Sequence, residues 1–515
     1  MSATGIAQRP ASDVPRMRGM IVASALSPVL GALSALAFAP VHLPVALPIA
    51  FGGLFLLLDR TTTWRGALLL GWLFGLGSFL VGLHWITEAF AVDAERFGAL
   101  AWPALGLLAG GLAVFPALSV AAAWALAGSR GGVALAAALV ACWAAGEWLR
   151  GTVLTGFPWN IAGYAFGFSD TLLQLAALVG IQGLGLLALV VAILPALAWR
   201  LRRVWPVAAA VALVALAWGF GAARLAADPP GEVAGMRLRL VQPNIPQDLK
   251  WAEGERAAIL TRLLALSSGP GAPTHLVWPE SAIPYLVEEA PAVRAAIAAV
   301  VPPGGALLAG AVRRAPDFAA QPALLNSIVT VDATGAITAT YDKIRLVPFG
   351  EYQPLRALFA SLPKLTVGSI DFIPGAPREA MAVPGLPTAW PLICYEAIFP
   401  APLPGGAAPG WILTVTNDAW FGTSWGPYQH ALAARLRGIE LGLPQIRVAN
   451  SGITFVADAR GQERARLPLG TEGVLDTALP AALPGGTVYA RWGEWPFALG
   501  LLLLGGAALA LRGRA

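Results

Sequence analysis

Cys394, Glu280 and Lys343 put a thiol, a carboxylate and an amine into one stretch of chain, and thioester acyl chemistry requires those three parts. Cys394 closes the apolar run Pro391-Leu-Ile-Cys-Tyr-Glu-Ala-Ile-Phe399, where a side chain can project from a sheet edge into a cleft. A free thiol has a pKa of about 8.5 and is mostly protonated at neutral pH, so a neighbour must take its proton or hold its charge. Glu280 follows Trp278 and Pro279 at a stiff strand exit, where apolar walls would raise its pKa toward the range of a general base. Lys343, in Tyr341-Asp-Lys-Ile-Arg-Leu-Val-Pro-Phe-Gly-Glu351, offers positive charge to the oxyanion of a tetrahedral intermediate. Taken singly, these residues read as a core cysteine, a surface acid and a solvated lysine. Their joint presence carries the argument. His275 begins the strand that Glu280 ends, which argues against a Cys–His pair.

The rest of the composition excludes more than it offers. Two cysteines, Cys142 and Cys394, give no disulfide framework, and Cys142 reads as a small packed residue within an apolar segment. The four histidines (His42, His84, His275 and His430) lack metal-ligand spacing, so neither a metal nor an organic cofactor is expected. A net charge of +5 without any basic run excludes nucleic acid as a partner.

The elements that must position the site are of two kinds. Of 515 residues, 57% are hydrophobic and 12% charged, whereas soluble domains carry roughly 25% charged residues. About 20 apolar residues cross a bilayer. Stretches near 19–38, 44–58, 66–86, 98–127, 131–149, 171–199, 205–223 and 494–511 read as eight spans. The first lacks a small-residue cleavage site and reads as an uncleaved anchor. Arg9, Arg16, Arg18, Arg60, Arg65, Arg130, Arg200, Arg202, Arg203, Arg512 and Arg514 gather on one side, against Arg96 and Arg150 in the opposite short loops. This bias puts both termini in the cytoplasm and the block between spans seven and eight outside the cytoplasmic membrane. Ionisable residues are few within the spans, with Glu88 and Glu147 near predicted ends, which argues against a transport pathway or scaffold reading.

The intervening block reads as α/β. Strands are expected at Met236–Gln242, His275–Trp278 and Trp411–Asn417, helices at 254–267 and His430–Leu441, and hairpins at Ser327–Tyr341 and Arg447–Gly461. Pro/Gly-rich stretches at 400–410 and 480–486 read as loops. Strand–helix alternation with added hairpins predicts a layered sandwich. The expected division is a membrane domain at 1–228, an extracytoplasmic domain at 229–486, and a last span with a short tail at 487–515.

Several stretches resemble the apolipoprotein N-acyltransferase family: Val241-Gln-Pro-Asn-Ile-Pro-Gln, Trp278-Pro-Glu-Ser-Ala-Ile-Pro, Lys343-Ile-Arg-Leu-Val-Pro-Phe-Gly-Glu, Ile393-Cys-Tyr-Glu and Thr416-Asn-Asp-Ala-Trp-Phe-Gly. In the membrane part, Glu147-Trp-Leu-Arg-Gly-Thr-Val-Leu-Thr-Gly-Phe-Pro-Trp159 is similar too. The soluble motifs alone mark the nitrilase superfamily; their combination with eight spans is specific. The sequence departs from the family pattern at Asp342 and Pro243. The resemblance implies a nitrilase-like α-β-β-α sandwich and a ping-pong transfer without cofactor. Glu280 would activate Cys394, which takes the sn-1 acyl chain of a phospholipid, phosphatidylethanolamine being the expected donor. The α-amino group of a lipoprotein's diacylglyceryl-cysteine would then accept the chain, with Lys343 stabilising both tetrahedral intermediates. Glu351 and Glu396 match supporting acids, and Asn326, Tyr395, Trp251, Trp420 and Phe421 match positions in or around the cleft.

Those secondary roles have structural alternatives. Glu351 orients Lys343 or pairs with Arg345. Glu396 shares a face with Cys394 if the strand continues, and not if the chain turns. Trp251, Trp420 and Phe421 contact acyl chains or simply pack. Phe97–Trp102 and Phe157–Trp159 read as aromatic-belt anchors. A membrane-tethered amidase with water as acceptor is the alternative function. A monomer in the bacterial inner membrane is expected.

Overall fold

The computed structural model describes residues 13–128, 131–315, 323–354, 371–400 and 408–512, with side chains from residue 21 onward. Arg9, Arg130 and Arg514 of the charge bias lie outside the described residues, as do 401–407 of the expected 400–410 loop.

Among the described residues, five helices are long and apolar enough to cross a membrane: Trp64–Gly82, Ala94–Ala127, Gly132–Thr152, Ala176–Leu201 and Trp205–Ala226. Three shorter apolar helices, Ile21–Ala35, Ala46–Asp59 and Trp495–Leu511, fall on the remaining expected stretches. Small residues set the crossings. A Cβ at Gly31 or Gly77 would collide with the backbone of Phe74 or Pro28, so helices 13–35 and 64–82 touch main chain to main chain. Two stretches depart from straight spans. The 98–127 stretch divides into Ala101–Leu112 and Val114–Ala127, and Ala176–Leu201 is broken at Gly180, where φ is 66°. The break frees the Ile181 amide, which donates to Glu440 Oε1 at 2.7 Å from the polar block.

Among the described residues, that block is a sandwich of two six-stranded sheets. In chain order its strands are β1 (Glu232–Gln242), β2 (His275–Ile283), β3 (Ala306–Arg314), β4 (Leu324–Asp332), β5 (Ile337–Asp342) and β6 (Met381–Val383). Then follow β7 (Leu386–Ile393), β8 (Trp411–Thr416), β9 (Gln445–Ala449), β10 (Thr454–Ala457), β11 (Glu463–Leu467) and β12 (Gly473–Pro480). One sheet runs β12-β1-β2-β3-β4-β5 and the other β11-β10-β9-β8-β7-β6. Each is parallel at its centre (β1, β2 and β3; β7, β8 and β9) and antiparallel at its margins.

Period-two patterning builds the layers. In β8, Trp411, Leu413 and Val415 face the core between the sheets, where they meet Leu238, Val277 and Ile328 of the opposite sheet. Ile412 points the other way, toward helix Gly426–Leu441. In β2, Leu276 and Trp278 likewise face helices Arg256–Ser267 and Pro291–Ala298. The result is the expected α-β-β-α order. The hairpins at 327–341 and 447–461 are present as β4–β5 and β9–β10. Tyr395, Ile398, Phe399, Leu436 and Ile439 of the sandwich belong to the same apolar cluster as the membrane helices. The sandwich therefore rests on the helical body along the side that carries Cys394.

Candidate active site

Cys394 is the first residue after β7. It has a φ of 49° and opens a 3-10 turn, Cys394–Ile398. A left-handed conformation is uncommon and costly for a residue with a Cβ, and it clusters at functional turns. The continued strand that would align Glu396 with Cys394 is therefore not formed. Glu396 turns away as a buried anchor. Its carboxylate accepts from the backbone amides of Ile393 (2.8 Å), Ile344 (3.0 Å) and Arg345 (3.3 Å), from Tyr341 Oη (2.9 Å) and from Arg378 (2.7 Å). Those bonds tie the turn after Cys394 to the segment after Lys343.

Glu280 comes from the opposite sheet. Its strand bulges between Trp278 and Ile283, and Ser281 has a φ of 48°. The bulge throws the Glu280 side chain toward the cleft and its carbonyl out of the ladder, where buried Lys250 donates to it at 2.9 Å. Gly310 on β3 makes room, since any Cβ there would press on the backbone of Pro279, Glu280 and Ser281.

Four candidate residues then meet. Asn326 Nδ2 donates to Glu280 Oε1 and to Glu351 Oε1, each at 2.8 Å. Lys343 Nζ donates to Glu351 Oε1 at 2.9 Å and lies 3.6 Å from Glu280 Oε1. Glu351 thus orients Lys343 rather than pairing with Arg345, whose guanidinium lies over the Phe399 ring at 4.2 Å. The second Glu280 oxygen accepts from the Asn417 amide at 2.8 Å. Asp342 beside the lysine bonds Ser327 and Arg313 instead, outside this group.

Burial pushes the Cys394 thiol up strongly, and the Glu280 carboxylate adds to this; Lys343 and a hydrogen bond with Thr416 pull it back. Burial also opposes the charge of Lys343, but Glu351, Glu280 and Cys394 outweigh it and hold the ammonium well above its usual value. At neutral pH the sulfur therefore rests as a thiol and Lys343 as an ammonium, with the Glu280 side chain beside them. The arrangement can pass the thiol proton to Glu280 as sulfur attacks a carbonyl, and it has a cation ready for the oxyanion. Burial likewise lowers Lys250 to about 8 despite Glu280 and Cys394.

The remaining candidates fall in two places. Trp251 sits half-buried next to Lys250, in the segment leading to helix 256–267. Trp420 and Phe421 lie on the 3-10 turn Asp418–Phe421, and the Phe421 ring meets Trp85 at 4.6 Å, His430 at 5.7 Å and Trp159 at 6.0 Å. Tyr395 donates to Gly156 O at 2.9 Å, in the loop after helix 132–152. The belt reading fails for Trp159. It is 4% exposed, and its Nε1 donates to Gln429 Oε1 at 2.6 Å. The loop is folded inward because Arg150 donates to the carbonyls of Phe157 (2.6 Å) and Trp159 (2.8 Å), while Glu147 accepts from the Ala162 amide. Phe97 is buried too, while Trp102, at 69% exposure, suits a belt position.

Sequence reasoning set aside or missed several neighbours. His275 is indeed remote, bonded to Thr274 and Pro384 O. His430, a single residue in a helix with no motif spacing, reaches the Cys394 carbonyl at 2.9 Å. Lys250 was signalled only by adjacency to Trp251, and Asp418 only by its place in the Thr416-Asn-Asp stretch. Among the described residues no cluster of His, Cys, Asp or Glu could hold a metal ion.

A two-sheet sandwich with a Glu, Lys and Cys group in its cleft, seated on an apolar helical body, defines a membrane-bound member of the nitrilase-like class, and the carbon-nitrogen hydrolase family model matches residues 237–486. The model of the apolipoprotein N-acyltransferase N-terminal domain matches residues 30–194. The chain is 43% identical over 502 residues to an apolipoprotein N-acyltransferase of Bradyrhizobium diazoefficiens, covering 91% of each chain. It is 41% identical over 497 residues to one of Rhodopseudomonas palustris, again covering 91% of each. A third, from Brucella melitensis, is 41% identical over 80% of this chain and 79% of its own. The chain belongs to the apolipoprotein N-acyltransferase family.

Proposed function

We propose that this enzyme moves an acyl chain from the sn-1 position of a phospholipid, phosphatidylethanolamine being the expected donor, to the α-amino group of a lipoprotein's N-terminal diacylglyceryl-cysteine. In the first half-reaction Glu280 takes the Cys394 proton as sulfur attacks the ester carbonyl, and Lys343 holds the oxyanion. Collapse breaks the ester bond. The lysophospholipid oxygen leaves with the proton from Glu280, and a thioester remains on Cys394. In the second, the amine attacks the thioester and gives its proton to Glu280. The C–S bond breaks, the amide leaves, and the thiolate recovers the proton. No cofactor enters either step. Glu351 and Asn326 position Lys343 and Glu280, and Glu396 holds the turn beside the nucleophile. Trp251, Trp420 and Phe421 border the acyl path.

The observation that carries the reading is the seat of the nucleophile. The residue after Cys394 bonds a loop of the apolar body, Tyr395 to Gly156. An acyl donor in the bilayer can reach such a site without its chain entering water, which costs about 0.8 kcal/mol per methylene. A soluble amide substrate needs no such seat, which disfavours the amidase alternative. We further propose the division 1–228, 229–486 and 487–515, a monomer in the inner membrane, both termini cytoplasmic and the sandwich periplasmic.

The test is mass spectrometry of purified protein given phospholipid and then a diacylated lipopeptide. A fatty acyl adduct on Cys394 that moves to the lipopeptide amine is expected, with no adduct in Cys394→Ala and a sharply slowed one in Glu280→Gln. Active protein that forms no lipid-derived adduct yet cleaves small amides would replace this reading with the hydrolase.

A further inference from the structure

Behind Cys394 lies a line of buried polar groups that the acyl chemistry above does not use. His430 Nε2 is 2.9 Å from the Cys394 carbonyl, and Nδ1 is 2.9 Å from Asp418 Oδ1. Asp418 Oδ2 accepts from Arg447 Nη2 at 2.7 Å, and Oδ1 also accepts from Thr416 at 2.9 Å. His430, Asp418 and Arg447 are each fully buried. A carbonyl oxygen can only accept, so Nε2 carries the hydrogen and donates to Cys394. Arg447 Nη2 is also 3.2 Å from Nδ1. The ring is walled by Phe421 and by Trp159 from the membrane body, with centroids 5.7 and 5.9 Å away.

We propose that His430 is a positioning residue for Cys394. Donating from Nε2, it holds the nucleophile's carbonyl and with it the left-handed turn that aims the thiol. The groups facing it are Asp418, Arg447 and Cys394, with Glu280 and Lys343 across the cleft. Asp418 by itself works against a thiolate at Cys394. Through Trp159, which bonds Gln429 one residue before His430, the same line reaches the membrane body.

The inference rests on Cys394 as nucleophile, so its test uses a readout independent of lipid. Alkylation of Cys394 by iodoacetamide, followed by peptide mass over pH 6–10, is compared in wild type, His430→Gln and His430→Phe, alongside acyl-adduct formation and thermal unfolding. A buried acceptor left without its donor costs about 1–3 kcal/mol, or roughly 5- to 150-fold in rate. His430→Phe should lose about that factor in both assays while remaining folded. His430→Gln keeps a donor and should recover part of the rate in both assays. A Gln variant no faster than a folded Phe variant overturns the donor role. A folded Phe variant at wild-type rate overturns the positioning role. Should Phe fail to fold, His430→Leu takes its place under the same two outcomes. Alkylation that responds as expected while no lipid adduct forms in wild type would instead refute the acyl-donor reading.

Discussion

Gly310→Ala should disable the enzyme without touching any group that carries charge or protons. Gly310 pairs with Ile328 in the ladder between β3 and β4, and its φ is not left-handed, so alanine suits its backbone conformation. What alanine cannot find is room. A Cβ there would lie 2.5 Å from Ser281 N and nearer still to Glu280 Cα and Pro279 O. Ordinary contact needs about 3.5 Å, so the bulge carrying Glu280 must retreat by about 1 Å. All three obstacles are backbone atoms, and no side chain can rotate aside. Glu280 is fixed in turn by Asn326 and the Asn417 amide, each at 2.8 Å. A 1 Å shift breaks or stretches both bonds. Misplacement of that size costs on the order of 100-fold in rate, and overpacking costs about 1–3 kcal/mol of stability. The assay is the rate of acyl-adduct formation on Cys394, read beside a thermal unfolding curve. A folded Gly310→Ala that acylates at the wild-type rate would refute the placement of Glu280 as the proton acceptor.

Three further outcomes are expected. Asn326→Leu removes the amide that bridges Glu280 and Glu351, and should slow adduct formation by roughly 10- to 100-fold with little loss of fold; an unchanged rate would leave Asn326 a packing residue. Lys250 binds protons less readily folded, at about 8, than unfolded, near 10.5. Below pH 8 both states are charged and the burial cost is whole; between about 8 and 10.5 the unfolded chain holds more protons, so stability should rise with pH by up to about 3 kcal/mol. Lys250→Met should abolish that rise, and equal pH slopes in the two proteins would refute it. Ser268→Cys puts a thiol on an exposed position of the sandwich and should react with a membrane-impermeant maleimide from the periplasmic side; labelling only from the cytoplasmic side would invert the proposed topology.

How much could be read beforehand depended on how locally each feature is encoded. Apolar length and strand alternation are properties of contiguous residues, so the helical body, the β4–β5 hairpin and strand Trp411–Thr416 were legible. The meeting of Glu280 with Lys343 was inferred from residue types, yet Asn326, whose amide bridges Glu280 and Glu351, had no chemical signature of its own. Tertiary contacts decided the rest. Glu396 turned from the cleft because Cys394 adopts a left-handed φ, which no pattern announces in a non-glycine residue. Trp159 looked like a belt anchor because its neighbours are Gly, Phe and Pro. Arg150, nine positions earlier, folds it inward through carbonyl bonds that sequence spacing does not display. His430 lies 36 positions from Cys394 and contacts its backbone, a relation no side-chain motif encodes.

Both proposed reacting ends of this site share one structural device. Cys394 and Ser281, the latter beside Glu280, have left-handed φ values of 49° and 48°. Each displaced carbonyl is caught by a buried side chain from elsewhere, His430 for Cys394 and Lys250 for Glu280. Conformations of this kind cost about 1–3 kcal/mol each and persist only where surrounding contacts over-determine them. The two sheets supply part of that constraint, and a soluble sandwich could supply as much. The helical body adds contacts a soluble sandwich lacks: Gly156 receives Tyr395, Trp159 packs on His430, and Trp85 packs on Phe421. These three contacts surround the nucleophile on its membrane side with apolar rings and a satisfied carbonyl. Water reaching a thioester from that direction would have to displace them. In the proposed reaction the intermediate must outlast the exchange of a lysophospholipid for a lipopeptide amine. Shielding from water on the lipid side is therefore what would separate a transferase from a hydrolase built on the same three side chains.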